Sequence, residues 1–152
     1  MYQFLRKQKH TPGPHMSIPR IGGTMISELL QFPLVIIVDD EEIILHLVAG
    51  QVAEHNCNVL RFTSSKTSLI FLQQYPGLSL LVTDVEMKEM TGPQLVEALT
   101  PNLWVGGKKT VIYMTGNSQQ ADDMRNQGLT VLDKPIETTA LFILLRTCLA
   151  AL

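Results

Sequence analysis

The sequence predicts an α/β domain built on a parallel sheet covered by helices on both faces. Two observations carry this prediction. Short continuous apolar runs recur from Leu34 onward, and between them lie segments whose apolar residues repeat at helical spacing. Strands that read as unbroken Val, Ile and Leu are buried on both faces, which is the pattern of parallel sheets flanked by helices. A chain of 152 residues fits one domain with a single core.

The elements follow in order. Leu34-Val-Ile-Ile-Val38 is a β-branched run bounded by Pro33 and Asp39, and reads as the first strand. Glu42 to His55 sets Ile43, Leu47, Val48 and Val52 at helical spacing. Val59 to Phe62 reads as the second strand, and Lys66 to Gln73 as a helix whose Ser/Thr-rich entry supplies N-caps. Leu78 to Thr83 is the third strand. It leads into the helix Pro93 to Leu99, with a proline where the first turn tolerates one. After a Gly-bearing loop come the strand Thr110 to Met114, the short helix Ser118 to Asn126, the short strand Thr130 to Leu132 and the final helix Thr138 to Ala151.

Residues 1–33 stand apart as an N-terminal extension, with the folded domain spanning 34–152. The basic run Arg6-Lys-Gln-Lys-His10 and the breaker-rich Thr11-Pro-Gly-Pro-His-Met16 and Ile18-Pro-Arg-Ile-Gly-Gly23 make a poor core. The segment reads as flexible or in part a cloning remnant, with a short helical turn expected at Ser27-Glu-Leu-Leu30.

Apolar residues make up 45% and charged residues 17%, with a net charge of −2. That balance argues against a disordered chain, and no basic excess marks a nucleic-acid footprint. No apolar stretch approaches the roughly 18–20 residues of a membrane span. Cys57 and Cys148 are widely spaced within apolar patterns, so they read as core thiols of a reducing cytoplasm. His10, His15, His46 and His55 read as surface or core residues.

Parallel topology opens every strand's C-terminal end on one edge, where ligands bind in such folds. The residues arriving there are Asp39 and Asp40, Asp84, Thr115, and Lys134-Pro135. Taken singly they are ordinary: an acidic helix N-terminus, a turn hydroxyl, a surface charge, a helix starter. Together they are not, because clustered carboxylates raise each other's pKa unless a cation is present. Oxygen donors of this kind suit Mg²⁺ and are a poor match for Zn²⁺. A carboxylate beside Mg²⁺ and a lysine is a nucleophile toward phosphorus, and Thr115 is placed to hydrogen-bond a phosphoryl oxygen.

Four segments carry a resemblance: Val35-Ile-Ile-Val-Asp-Asp-Glu41, Val82-Thr-Asp-Val-Glu-Met-Lys-Glu-Met-Thr-Gly92, Val111-Ile-Tyr-Met-Thr-Gly116 and Leu132-Asp-Lys-Pro135. In order and spacing they resemble the receiver domain of two-component response regulators. Met90-Thr-Gly-Pro-Gln-Leu95 and Ile112-Tyr-Met-Thr-Gly116 look most like receivers of hybrid sensor histidine kinases. The resemblance implies a flavodoxin-like (βα)5 doubly wound sheet with strand order 2-1-3-4-5. It also implies a cytoplasmic, non-enzymatic phosphoacceptor that receives its phosphoryl group from a histidine kinase or histidine phosphotransfer protein, and it allows a homodimer.

By the same resemblance Asp84 is the phosphoacceptor. Mg²⁺ is held by Asp39, Asp40, Asp84 and the backbone carbonyl of Glu86, with Asp40 the direct ligand and Asp39 acting more through water. Thr115 follows the phosphoryl group, Lys134 pairs with it, and Pro135 aims the amine through a Lys-Pro peptide that is commonly cis. Glu86 and Asn117 occupy positions that tune phosphoryl lifetime.

Departures from the family pattern are Lys88 in place of a common proline, Val131 at the aromatic switch position, and a shortened segment between Thr115 and Lys134 that implies a clipped fourth helix. Two other readings compete: a degenerate receiver serving only binding or dimerisation, and an aspartate-dependent phosphatase, which would want a second aspartate two residues on, near the first strand, whereas Glu86 follows the third strand.

Overall fold

The computed structural model describes residues 4–5 and 32–151. Among the described residues there are six strands: β1 (Phe4–Leu5), β2 (Leu34–Val38), β3 (Asn58–Phe62), β4 (Leu78–Asp84), β5 (Val111–Thr115) and β6 (Val131–Asp133). The α-helices among the described residues are α1 (Glu42–Val52), α2 (Ser65–Gln74), α3 (Gly92–Ala98), α4 (Ser118–Asn126) and α5 (Thr138–Ala150). The sheet order is β1-β3-β2-β4-β5-β6, with every pair from β3 to β6 parallel. Counting the five parallel strands in chain order, this is 2-1-3-4-5, the expected flavodoxin-like topology.

Alternation along the strands divides the core into two layers. Val35 and Ile37 of β2 point with Val59, Leu80, Val82, Ile112 and Met114 toward α1 and α5. Ile36 and Val38 point the other way, with Leu60, Phe62 and Leu81, toward α2 and α3. A smaller cluster of Val85, Tyr113, Ala121, Met124 and Val131 seats α4 against β5 and β6. Each fully buried aliphatic side chain contributes about 1.5–3 kcal/mol, so the unbroken strand runs supply most of the driving force.

Helix entries are capped by local chemistry. Ser64 accepts the backbone N–H of Thr67 (3.2 Å), and Thr91 and Gln94 form a reciprocal capping box around Pro93 at the start of α3. Glu137 accepts the N–H groups of Thr139 and Ala140 at the start of α5. The helix expected to reach His55 ends at Val52, because the next bonds tighten: Glu54 N–H donates to Gln51 and His55 N–H to Val52. Leu99 is extended rather than helical, ahead of Thr100-Pro101.

The N-terminal segment holds a feature the breaker-rich composition did not suggest. Phe4 and Leu5 pair antiparallel with Leu60 and Val59, adding a strand to the β3 edge. The turn expected at Ser27-Glu-Leu-Leu30, together with His10 and His15, lies outside the described residues. The Gly-bearing loop before β5 is also more ordered than its composition suggests. It contains two 3₁₀ turns, Pro101–Leu103 and Val105–Gly107, and buries Trp104, which bridges to Leu78. No helix among the described residues is long and apolar enough to cross a membrane.

The register brings the functional edge into line. Asp84 pairs with Met114 and Thr115 with Asp133, so β4, β5 and β6 end together. Beyond β4 the chain folds back so closely that Gly92 N–H donates to Val85 O (2.9 Å), and a Cβ at residue 92 would lie 2.3 Å from the Asp84 carbonyl oxygen. Gly92 is therefore required by close approach of two backbones. Gly92→Ala is expected to destabilise the domain by about 1–3 kcal/mol in urea unfolding, as overpacking does. Unchanged stability would mean that the loop is not held against Asp84.

Candidate functional site

The C-terminal ends of β2, β4, β5 and β6 deliver Asp39 and Asp40, Asp84, Thr115 and Lys134 to one edge, as the sequence anticipated. Asp39 is completely buried and Asp84 is 5% exposed, whereas Asp40 and Glu86 face solvent. Asp39 Oδ1 accepts the backbone N–H of Glu41 (2.8 Å), which turns the chain into α1. Its other oxygen faces Lys134 Nζ at 2.8 Å.

The Lys134 ammonium also reaches Asp84 Oδ1 (3.3 Å) and Glu41 Oε1 (3.2 Å). One cation thus holds carboxylates from two strands and the α1 entry. Its own position is fixed by Lys134 N–H donating to Thr115 O (2.8 Å), and the Lys134–Pro135 peptide is cis.

Electrostatics follow from this burial. Desolvation, reinforced by repulsion from Asp39 and Asp40 and only partly offset by Lys134, pushes the Asp84 pKa up to about 6. Burial likewise raises Asp39 above the ordinary carboxylate range against the pull of Lys134. For Lys134, burial disfavours the charged form, but Asp39 and Asp84 outweigh it and hold the ammonium above its ordinary pKa. The site carries more negative charge than a single lysine compensates.

Carboxylate oxygens of Asp39, Asp40 and Glu41 lie within 4.8 Å of one another, an all-oxygen group that a hard divalent cation fits. Glu41, next to the acidic pair in sequence, adds its carboxylate to the group in the folded site. Asp84 is joined to this group through Lys134. Thr115, buried on β5, donates its hydroxyl to Gln120 Oε1 (2.8 Å) and accepts the N–H of Asn117 (3.1 Å). Asn117 caps α4 by accepting the N–H of Gln120 (3.0 Å). Gln120 was missed because it is one polar residue in a polar helix, and only the register shows its partner.

The remaining expectations are placed as follows. Val131 is buried in the α4 cluster, and Pro135 is exposed. Met87 and Met90 pack on the α2/α3 side of the core beneath the loop, while Lys88 is exposed. α4 is nine residues long. Cys57 is buried and Cys148 half-buried, both as free thiols; His46 is exposed and His55 lies against the Phe142 ring.

A doubly wound parallel sheet with acidic residues, a hydroxyl and a lysine at its carboxyl edge defines a class of small α/β proteins whose ligand chemistry lies at that edge. Comparison with known proteins narrows the class. The family described as response regulator receiver domain matches residues 35–146, and the chain belongs to that family. A rice (Oryza sativa subsp. japonica) protein, Two-component response regulator ORR13, is 33% identical over 64 residues, covering 42% of this chain and 53% of its own. The chain thus spans about half the length of that curated relative.

Among solved structures, the receiver domain from the hybrid histidine kinase CckA superposes with a TM-score of 0.62 at 24% identity, over 76% of this chain and 98% of that one. The chemotaxis response regulator CheY4 of Vibrio cholerae gives 0.65 at 20% identity, over 78% of this chain and 99% of its own. At those identities the two structures speak for the shared fold.

The raised Asp84 pKa has a consequence for stability. Its folded-state value, about 6, exceeds the ordinary 3.8, so the protonated carboxyl favours the fold. That contribution is complete below pH 3.8 and is lost as pH rises through 6. In chelator-treated protein at pH 8, Asp84→Asn should therefore be more stable than the parent by about 1–3 kcal/mol in urea unfolding. The gap should close on acidification toward pH 4; a gap that is absent, or that widens in acid, contradicts this electrostatic picture.

Proposed function

We propose that residues 34–152 act as the phosphoacceptor module of a two-component phosphorelay, with residues 1–33 an extension to it. The observation that carries the reading is the buried Asp84 carboxylate, 3.3 Å from the Lys134 ammonium at the carboxyl edge of the sheet. In the transfer, an Asp84 carboxylate oxygen attacks the phosphorus of a phosphohistidine. The Asp84 O–P bond forms, the donor's N–P bond breaks, and its imidazole leaves with the electron pair and takes up a proton.

Lys134 stabilises the charge on the transferring oxygens, and Thr115, at the end of the neighbouring strand, gives up its bond to Gln120 to donate its hydroxyl to one of them. Asp39 and Asp40 would hold Mg²⁺, with Asp84 and the Glu86 carbonyl completing the protein ligands. When bound, the ion neutralises the carboxylate excess and polarises the phosphoryl oxygens.

The donor is a histidine kinase or a histidine phosphotransfer protein. The module works in the cytoplasm as a regulatory switch. Its only chemistry is accepting its own phosphoryl group and losing it to water, the latter at a rate tuned by Glu86 and Asn117. A phosphoryl group brings about −1.5 to −2 charge and three strong acceptor oxygens, enough to bias a two-state surface toward a partner or a second copy.

Incubation with Mg²⁺ and a small phosphodonor should add one phosphoryl group per chain by intact mass, and Asp84→Asn should add none. No labelling of the parent protein, or equal labelling of the variant, overturns the assignment.

A further inference from the structure

The segment after β5 contains a device that the phosphoacceptor chemistry does not absorb. A threonine hydroxyl has one proton to donate. Here that proton is given to Gln120 Oε1 at 2.8 Å, while the Asn117 N–H occupies the oxygen from the other side at 3.1 Å. Gln120 lies in the first turn of α4, and its own N–H donates to Asn117 Oδ1 (3.0 Å), so Thr115, Asn117 and Gln120 close a small ring of hydrogen bonds. In this state Thr115 cannot donate to anything on Asp84.

The rest of α4 is held differently. At its C-terminal end the Arg125 guanidinium donates to the Val131 carbonyl (3.1 Å) and pairs with Asp133, fastening that end to β6. Val131 is buried with Tyr113, Ala121 and Met124, a small branched side chain with no ring to swing in or out. The end of α4 that can respond is therefore the first turn, and its direct side-chain link to the site is the Thr115–Gln120 bond.

We infer that Gln120 is the positioning residue that couples the site to α4. Its Oε1 holds the Thr115 hydroxyl away from Asp84 at rest, and the bond is exchanged for one to a phosphoryl oxygen when Asp84 is loaded, freeing the first turn of α4. The exchange makes Gln120 a brake as well as a reporter, because loading must first break its bond. This inference rests on the phosphoacceptor reading of Asp84.

The test uses the full chain, Mg²⁺ and beryllofluoride, a non-covalent phosphoryl mimic, followed by ¹⁵N NMR. In the parent protein, saturation should move the Gln120 side-chain amide and the backbone amides of Ser118 to Ala121. Without metal or mimic, Thr115→Val should already move the Gln120 side-chain resonance. Gln120→Ala, at a half-exposed helical position that accepts alanine, should lower the beryllofluoride midpoint roughly 2- to 10-fold, the equivalent of one net hydrogen bond. In a Thr115→Val background, Gln120→Ala should change the midpoint no further, since the bond is already gone.

An unchanged midpoint in Gln120→Ala, or the same drop with and without the Thr115 hydroxyl, overturns the coupling role while leaving Asp84 as acceptor. No binding of the mimic by the parent protein overturns both.

Discussion

The Lys134 ammonium lies 2.8 Å from Asp39 and 3.3 Å from Asp84, and the burial of those two carboxylates depends on it. Desolvating two negative charges at one edge of a hydrophobic sheet costs several kcal/mol unless a cation shares the space. The cation arrives from β6, the strand farthest from β2 among those that build the site. The sheet must therefore close in the order β2-β4-β5-β6 before the charges can be satisfied. Other features serve that geometry: the common end point of the strands, the backbone bond from Lys134 to Thr115, and the tight return of the loop at Gly92.

A single lysine leaves the pocket short of positive charge, and that imbalance is useful. Asp84 is kept less acidic than an ordinary aspartate, and the neighbouring Asp39, Asp40 and Glu41 oxygens form a hard-donor group beside it. On the proposed function, a divalent cation and an incoming phosphoryl group would each offset the charge of the other there. The fold and family establish a receiver domain, and the phosphoacceptor role proposed for it would give its acid-rich edge a physical use.

Much of this was legible in the sequence, for definable reasons. Runs such as Leu34 to Val38 and Leu78 to Val82 show their burial directly, because a strand covered on both faces has no polar alternation to confuse the reading. Asp84 and Lys134 could be brought together because parallel strands share an edge, whatever the details of packing. The features that escaped reading depend on contacts between backbones or on register. Phe4–Leu5 joins the sheet through main-chain bonds that any two residues can make, and the close approach at Gly92 leaves no mark except a glycine. Gln120 is indistinguishable from Gln119 until the helix is placed, when one of them meets the Thr115 hydroxyl and the other meets Asp123. Glu41 likewise reads as a helix-starting acid, and it reaches Lys134 only through the folded site.

The central claim is that a buried, under-compensated carboxylate at residue 84 shares its cation with Asp39. Carbon-detected NMR titration of the Asp84 side-chain carboxyl measures this directly in the unmodified protein. With metal removed, the carboxyl should titrate near pH 6, and saturating Mg²⁺ should move the titration to lower pH. An Asp84 carboxyl that titrates near 3.8 without metal and does not respond to Mg²⁺ would contradict the account.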